Sequence, residues 1–456
     1  MLQEITIEQA QALLCDNISK RYMKEAALST ELVPVDDALG RILAEDAAAL
    51  YDQPPFPRSP LDGYAFRGED TAGATPENPV RLKVVGKIYA GYAFAGEIGP
   101  GEALRLMTGS PIPKGANAVI RQEDTDFEQR AMAVQSSGKE AEGFMNENGG
   151  KADEPFVTRK RGGEEAEDLN IPNKGQDEVV LVYKECKPYS NYCYQGEDYH
   201  AGEILLEKGH RINSGAIAVL SSLGMTEVRV YKKPQIAVFS SGDEVVEPGQ
   251  PLASGKIYDS NRHYVMARLK ELGVPAAICQ HVMDQPEDMA EKIRQASRTC
   301  PLIVTLGGVS VGEKDIMHDV ARLLDAEVLF WRVRVKPGSP TLAFTYKDTL
   351  VICLSGNPFG AIANLELLVR PVLAELAHDR SLALKKQKAT IIKGYAKPSG
   401  MRRYLRGHLH GDEVSLSDRK QVSGAVASMA DCNCFVEIPP EMKGAQEGEE
   451  VWVYCL

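Results

Sequence analysis

Between residues 233 and about 383, short apolar and β-branched runs alternate with stretches of helical periodicity, and this pattern limits the fold more than any other feature. Gln235 to Ser240, Leu302 to Leu306, Leu329 to Val335 and Leu350 to Leu354 have the length and composition of strands. The stretch from Asn261 carries Val265, Leu269 and Leu272 on one face and stops at Gly273, and the stretch near Lys314 carries Ile316, Val320 and Leu323. Buried strands separated by amphipathic helices predict a doubly wound, mostly parallel α/β domain with helices on both faces.

The whole chain has 456 residues, too many for one core, so further domains are expected around this one. Residues 1–29 read as an N-terminal helix that packs with the α/β domain, with Thr6 and Gln9 at capping-box spacing. Residues 30–46 and 201–232 read as a connector domain. Residues 47–200, rich in Pro and Gly, read as a small irregular β domain. Inside it, about 128–177 is charged, Gly-rich and nearly free of apolar periodicity, which predicts a disordered insertion. The α/β domain is expected over 233–385, and a small C-terminal β-barrel over 386–456, where Phe435 to Ile438 and Val451 to Tyr454 are the clearest strands.

Composition removes several function classes. The net charge of -12 opposes the broad basic surface that nonspecific nucleic-acid binding requires. Apolar runs such as Leu302 to Leu306 are far short of the ~18 residues of a membrane span. Met1 to Ala12 lacks the basic and apolar regions of a signal peptide, and the nine cysteines include no Cys-x-x-Cys pair. A cytoplasmic protein with reduced thiols, engaging neither nucleic acid nor membrane, is the expectation.

In a doubly wound sheet, ligands bind beyond the carboxyl ends of the strands. The first such end reads Ser241, Gly242, Asp243, Glu244, which is either an oxygen-rich turn for a hard cation or a solvated, capped turn. The second reads Gly307, Gly308, Val309, Ser310, Val311, Gly312, with Lys314 and Asp315 opening a helix. Glycines there let backbone amides face an anion at a helix N-terminus, and a plain tight turn is the alternative. Lys336, Pro337 and Gly338 follow the third strand, and Ser355, Gly356, Asn357 and Pro358 follow the fourth. Lys336 suits an oxyanion, or else is a surface lysine. Asp259, Ser260 and Asn261 precede a helix, where an N-cap is the more frequent role. In the β-rich part, Pro54 to Ala65 is a rigid segment containing Asp62, and Met107 to Pro113 contains Thr108 and leads to Gln122, Glu123 and Asp124. Proline frames of this kind fix side-chain directions.

Taken together, these segments resemble the molybdopterin molybdenumtransferase family, known in bacteria as MoeA and in animals as the E domain of gephyrin. The resemblance rests on Ser59 to Ala65, Met107 to Pro113, Gln122 to Thr125, Gly196 to Asp198, Ser240 to Glu244, Asp259 to Asn261, Gly307 to Asp315, Lys336 to Gly338 and Gly356 to Pro358. It implies a homodimer whose active site lies at the subunit interface. There adenylylated molybdopterin would receive molybdate and release AMP with the help of Mg²⁺. On this resemblance Asp62, Thr108, Asp198, Glu244 and Asp315 take catalytic roles, and Asp243, Glu244 and Asp315 hold the metal. Ser241, Gly242, Asp259, Asn261, Asp284, Gly307, Gly308, Ser310 and Gly312 line the pterin-phosphate side. Arg332, Lys336, Ser355, Gly356, Asn357, Pro358, Arg403, Arg406, Ser423 and Ser428 face the oxyanion. The adenylyltransferase and molybdoenzyme acceptors are the implied protein partners.

The chain departs from the family pattern where Ser339 replaces a lysine and where Ser355 and Gly360 replace a proline and a serine. Three alternatives stand beside the main reading: a molybdopterin adenylyltransferase, a gephyrin-like scaffold, and an enzyme that inserts tungstate.

Overall fold

The computed structural model describes residues 2–21, 30–129, 132, 178–309 and 316–456. The insertion expected over 128–177 lies outside these residues apart from Glu128, Gln129 and Met132, as do Ser310, Gly312, Lys314 and Asp315. The chain forms two compact units, Met1–Ala47 with Leu206–Leu456, and Ala48–Leu205.

The first unit is built on a seven-stranded sheet. Its strands are β1 (Leu2–Ile5), β2 (Ile236–Ser241), β3 (Ile278–Val282), β4 (Leu302–Leu306), β5 (Glu327–Val333), β6 (Leu342–Tyr346) and β7 (Thr349–Leu354). Their order across the sheet is β1-β5-β6-β7-β4-β2-β3. Only β6 runs against its neighbours, so the sheet is mostly parallel. Alternate residues of β2, β4 and β7 feed two cores, as a strand buried on both faces requires. Ile236, Val238, Val304 and Ile352 face one core, while Ala237, Phe239, Ile303 and Val351 face the other.

Helices cover both faces. The first core is closed by Ile7–Arg21, Ser260–Glu271 and the continuous helical run Pro358–Leu376, which includes a π-helical stretch at Leu365–Val369. The second is closed by Pro286–Ala296 and Ile316–Leu323. The N-terminal strand, the edge strand β3 and the reversed hairpin strand β6 were not expected from the sequence. Leu2–Ile5 is too short for a period, and its pairing with β5 is a long-range event.

A buried carboxylate fixes the helical layer. Glu366 is fully buried and accepts Arg268 Nε at 2.6 Å and Arg370 Nη1 at 2.9 Å. Two guanidiniums and a desolvated acid are tolerated because each oxygen of the acid is hydrogen-bonded.

After β5 the chain passes through Val335–Lys336, which pairs in parallel with Arg402–Arg403 of the C-terminal domain. That domain is a closed barrel of Lys385–Ile391, Arg402–His410, Glu413–Leu416, Cys434–Ile438 and Glu450–Cys455. Ile391, Leu405, Val414, Val436 and Val453 fill it. Also in this unit, Thr30–Pro34 pairs antiparallel with Glu227–Tyr231, beside a helix Ser214–Ser222 capped by Asn213.

The second unit holds a five-stranded sheet in the order Ala118–Arg121, Gly63–Phe66, Glu102–Leu106, Val80–Ile88, Val179–Val182. Tyr64, Phe66, Leu82, Ala103, Ile120 and Val180 form its main core. Among the described residues no helix is long and apolar enough to cross a membrane.

Candidate active site

The carboxyl ends of β2, β4 and β7 converge because the strands are adjacent and parallel. Gly307 N donates to Leu354 O at 3.1 Å, which draws the loop after β4 against the end of β7. Gly307 adopts φ +96°, and a Cβ there would lie 2.8 Å from Ser241 O, so the turn after β4 requires glycine. Asn261 Nδ2 donates to Gly356 O at 2.8 Å and thereby joins the helix Ser260–Glu271 to the loop after β7.

Acids and hydroxyls occupy the rim. Asp243 N donates to Asp284 Oδ2 at 3.2 Å, and Lys256 Nζ donates to Asp243 O. Ser241 Oγ, Asn261 Oδ1 and Asp284 Oδ1 are buried and have no hydrogen-bond partner among the described residues. Such orphaned oxygens are costly in a folded protein unless a ligand or water meets them. Glu244 is exposed, with its carboxylate folded back over Gly242.

Asp259 is differently employed. It is buried, accepts Arg262 N at 3.0 Å as an N-cap, pairs with Arg262 Nε at 2.9 Å, and receives Ser240 Oγ at 2.6 Å. Its carboxylate therefore positions the helix that carries Asn261. The structure brings together Ser241, Gly242, Asp243, Asp284, Gly307, Gly308, Asn261 and Gly356 through these contacts. Among the described residues no cluster of three or more His, Cys, Asp or Glu is arranged to hold a metal, and Asp315 lies outside them.

The lysine turn sits against the helix that follows β7. Asn364, fully buried, donates to Gly338 O and to Thr341 Oγ1, both at 2.7 Å. A Cβ on Gly360 would lie 3.2 Å from Ser355 Cβ and 3.3 Å from Gly338 N, so this close packing accommodates glycine where the family pattern has serine. Lys336 is exposed and has no ion pair among the described residues, and its register partner is Arg403. Arg403 Nη1 donates to the Tyr395 hydroxyl. Arg332 lies at φ +69° with its guanidinium 4.5 Å from the Trp331 ring centre.

Arg406 is fully buried. It donates to the carbonyls of Lys420, Val422 and Ala425 and to Gln421 Oε1. The oxyanion-facing role implied for it by resemblance runs against this arrangement, because four of its five N–H groups are committed to the loop 420–425. That loop in turn carries Ser423, whose carbonyl accepts Phe359 N at 2.9 Å and so rests on the Gly-Asn-Pro segment. Ser428 is buried with an unpartnered hydroxyl.

In the second unit, Asp62 Oδ1 accepts both Thr108 N at 2.7 Å and Thr108 Oγ1 at 2.8 Å. Arg58 bridges to Pro111 on one side and Cys193 on the other, which brings the segments of Asp62, Thr108 and Asp198 side by side. Asp198 is exposed, and its amide donates to Gln53 O at 2.9 Å. Nearby, Lys184 and Arg121 hold the Asp124 carboxyl below the usual carboxylate range, so Asp124 is occupied within its own unit.

Sequence reasoning missed Asn364 and Phe359 as site supports. A lone amide in the run Ala361, Ile362, Ala363, Asn364, Leu365 was the available signal for the first.

Three family models match consecutive parts of the chain: the MoeA N-terminal region (domain I and II) over 5–224, a probable molybdopterin binding domain over 237–375, and the MoeA C-terminal region (domain IV) over 388–456. A protein of Bacillus subtilis named molybdopterin molybdenumtransferase is 32% identical over 94% of this chain and 90% of its own. One of Staphylococcus epidermidis with the same name is 31% identical over 98% and 96%. A solved structure of a molybdopterin biosynthesis MoeA protein from Pyrococcus horikosii has a TM-score of 0.76 at 30% identity, covering 99% of both chains. With identity near one third sustained over almost the full length, the chain belongs to the molybdopterin molybdenumtransferase family, MoeA.

Proposed function

We propose that this protein is an enzyme of molybdenum cofactor biosynthesis that places molybdate on the dithiolene of adenylylated molybdopterin and releases AMP. The observation that carries the reading is the convergence of three strand-end loops on one rim, where Ser241 Oγ and Asp284 Oδ1 are buried without partners among the described residues. Family membership adds the substrate class.

The chain's own groups divide the work. Gly307 and Gly308 keep the loop after β4 free of side chains, so a phosphate chain can approach the backbone. Asn261 fixes the height of Gly356 and leaves its own Oδ1 facing unpaired. Lys336 supplies an ammonium uncommitted to any carboxylate, opposite Arg403 in register, which suits a dianionic oxyanion. Asp62, with Thr108 clamped to one oxygen, retains its second oxygen for substrate, and Asp198 stands in a neighbouring segment.

The donor set on the rim is all oxygen, with two buried atoms lacking partners, and this fits a hard divalent cation. The described acids do not form a metal cluster by themselves, and Asp243 and Glu244 would hold Mg²⁺ together with Asp315, with Asp284 beside them. When bound, the ion neutralises phosphate charge and supplies polarised water.

The reading includes a cytoplasmic homodimer, with the adenylyltransferase and molybdoenzyme acceptors as transient partners. Supplying adenylylated molybdopterin, Mg²⁺ and molybdate to the pure protein tests the activity. AMP release that depends on the oxyanion is the expected result. Adenylate formation from ATP and molybdopterin would support the adenylyltransferase, tungstate-only turnover a tungsten enzyme, and inertness in every arm a scaffold.

A further inference from the structure

A second cluster of charge lies at the opposite end of β2. The strand-end loops follow Ser241, whereas Lys232 and Lys233 precede Ile236, and the six residues of β2 separate the two places by roughly 20 Å of strand rise. There a small open cleft of about 20 Å³ is lined by Arg41, Arg211, Tyr231, Lys232, Lys233 and Asp379, together with the turn at Gly273. Four cations face one lining carboxylate in a protein whose net charge is -12.

The partners of these groups leave an excess of positive charge. Arg211 pairs with Asp379, and Arg41 pairs with Glu31 and also donates to Tyr231 O at 2.8 Å. Both guanidiniums are thereby held in place with donors to spare. Lys233 has no carboxylate partner among the described residues, and burial together with the neighbouring Arg41 and Arg211 pushes its ammonium below the usual lysine range. An anion set among these groups would relieve that repulsion. The floor of the cleft joins Arg41 and Arg211 on one side to Lys233 and the Gly273 turn on the other, so a bound anion would also clamp the connector to the α/β domain.

We propose that this cleft binds a phosphate-class oxyanion through Lys233 and Lys232, seated between the held guanidiniums of Arg41 and Arg211. The ligand is either inorganic phosphate or the phosphomonoester end of a small metabolite. This site is separate from the substrate rim and does not depend on the proposed transfer reaction.

The test is thermal unfolding of the full chain titrated with inorganic phosphate or glycerol 3-phosphate, with ionic strength held constant by chloride. A saturable rise of several degrees in Tm at millimolar ligand is expected. Lys233→Gln should leave Tm in chloride equal or slightly higher, because it removes an ammonium repelled by Arg41 and Arg211, and should weaken the phosphate response at least tenfold. Lys336→Gln, at the other end of the sheet, should keep the response. A stronger response to the ester assigns the site to a phosphorylated metabolite, and an equal or weaker one assigns it to free phosphate. No rise above the chloride control, an unchanged response in Lys233→Gln, or a response lost in Lys336→Gln would overturn the proposal.

Discussion

The guanidinium carbon of Arg406 lies 4.0 Å from the centre of the Phe359 ring, so the barrel and the helix after β7 share one buried cation. Phe359 also meets Phe435 of the barrel edge-on at 5.5 Å. The same arginine gathers the carbonyls of Lys420, Val422 and Ala425. Its role is therefore to hold the loop 420–425, with Ser423, against the Gly-Asn-Pro segment.

Arg406→Lys should destabilise the protein by about 3–5 kcal/mol, since one ammonium cannot reach three carbonyls that the planar guanidinium spans and a buried charge would be left poorly met. Urea unfolding measures this. A loss below about 1 kcal/mol would show that the buried network contributes little.

Glu366→Gln tests the second buried network. Arg268 and Arg370 both lean on this carboxylate, and neutralising it leaves two guanidiniums without a counter-charge inside the helical layer. A decrease of about 3–5 kcal/mol in unfolding free energy is expected.

For Asp62→Asn the expected outcome is different, because the side chain lies at the surface of its unit and Thr108 can still donate to an amide oxygen. Stability should change by less than about 1 kcal/mol, as for other partly exposed polar substitutions. Turnover should fall at least a hundredfold, the scale of losing a positioned acid or base. Steady-state kinetics beside a melting curve separates the two effects.

His378 gives a pH dependence. Its ring stacks on Tyr231 with centroids 3.9 Å apart, its Nε2 is buried without a partner, and burial holds its pKa below the ordinary 6.5, with Glu375 opposing and Lys208 assisting. The folded state keeps this imidazole neutral, so as pH falls through about 6.5 the unfolded chain takes up the proton first. Stability is full above that pH and declines below it, until the folded form is protonated as well. His378→Gln should flatten part of the decline in Tm between pH 7 and 5.5; the remaining part includes His318, whose pKa is also lowered by burial.

The alternating core of the α/β domain was legible because its central strands β2, β4 and β7 are buried on both faces and so write continuous apolar runs. Leu302–Leu306 appears in the structure with the bounds read from sequence. β1, β3 and β6 were not legible: β1 is a four-residue run paired with a distant strand, β3 is a half-exposed edge strand of mixed polarity, and β6 is a short run folded back as a hairpin on β7. The strand-end glycines and acids were visible as motifs, yet the employment of Asp259 and Arg406 was not. Burial decides whether a charged side chain serves a ligand or its own backbone, and the sequence around Arg406 does not record that it points inward.

The most direct test of the proposed transfer is AMP release from adenylylated molybdopterin, followed with and without molybdate and Mg²⁺, for the wild-type protein and Asp284→Asn. The account predicts release that requires both additions, stops when the cation is chelated, and falls at least tenfold in the variant. Release that ignores molybdate and Mg²⁺, or proceeds at full rate in Asp284→Asn, would contradict it.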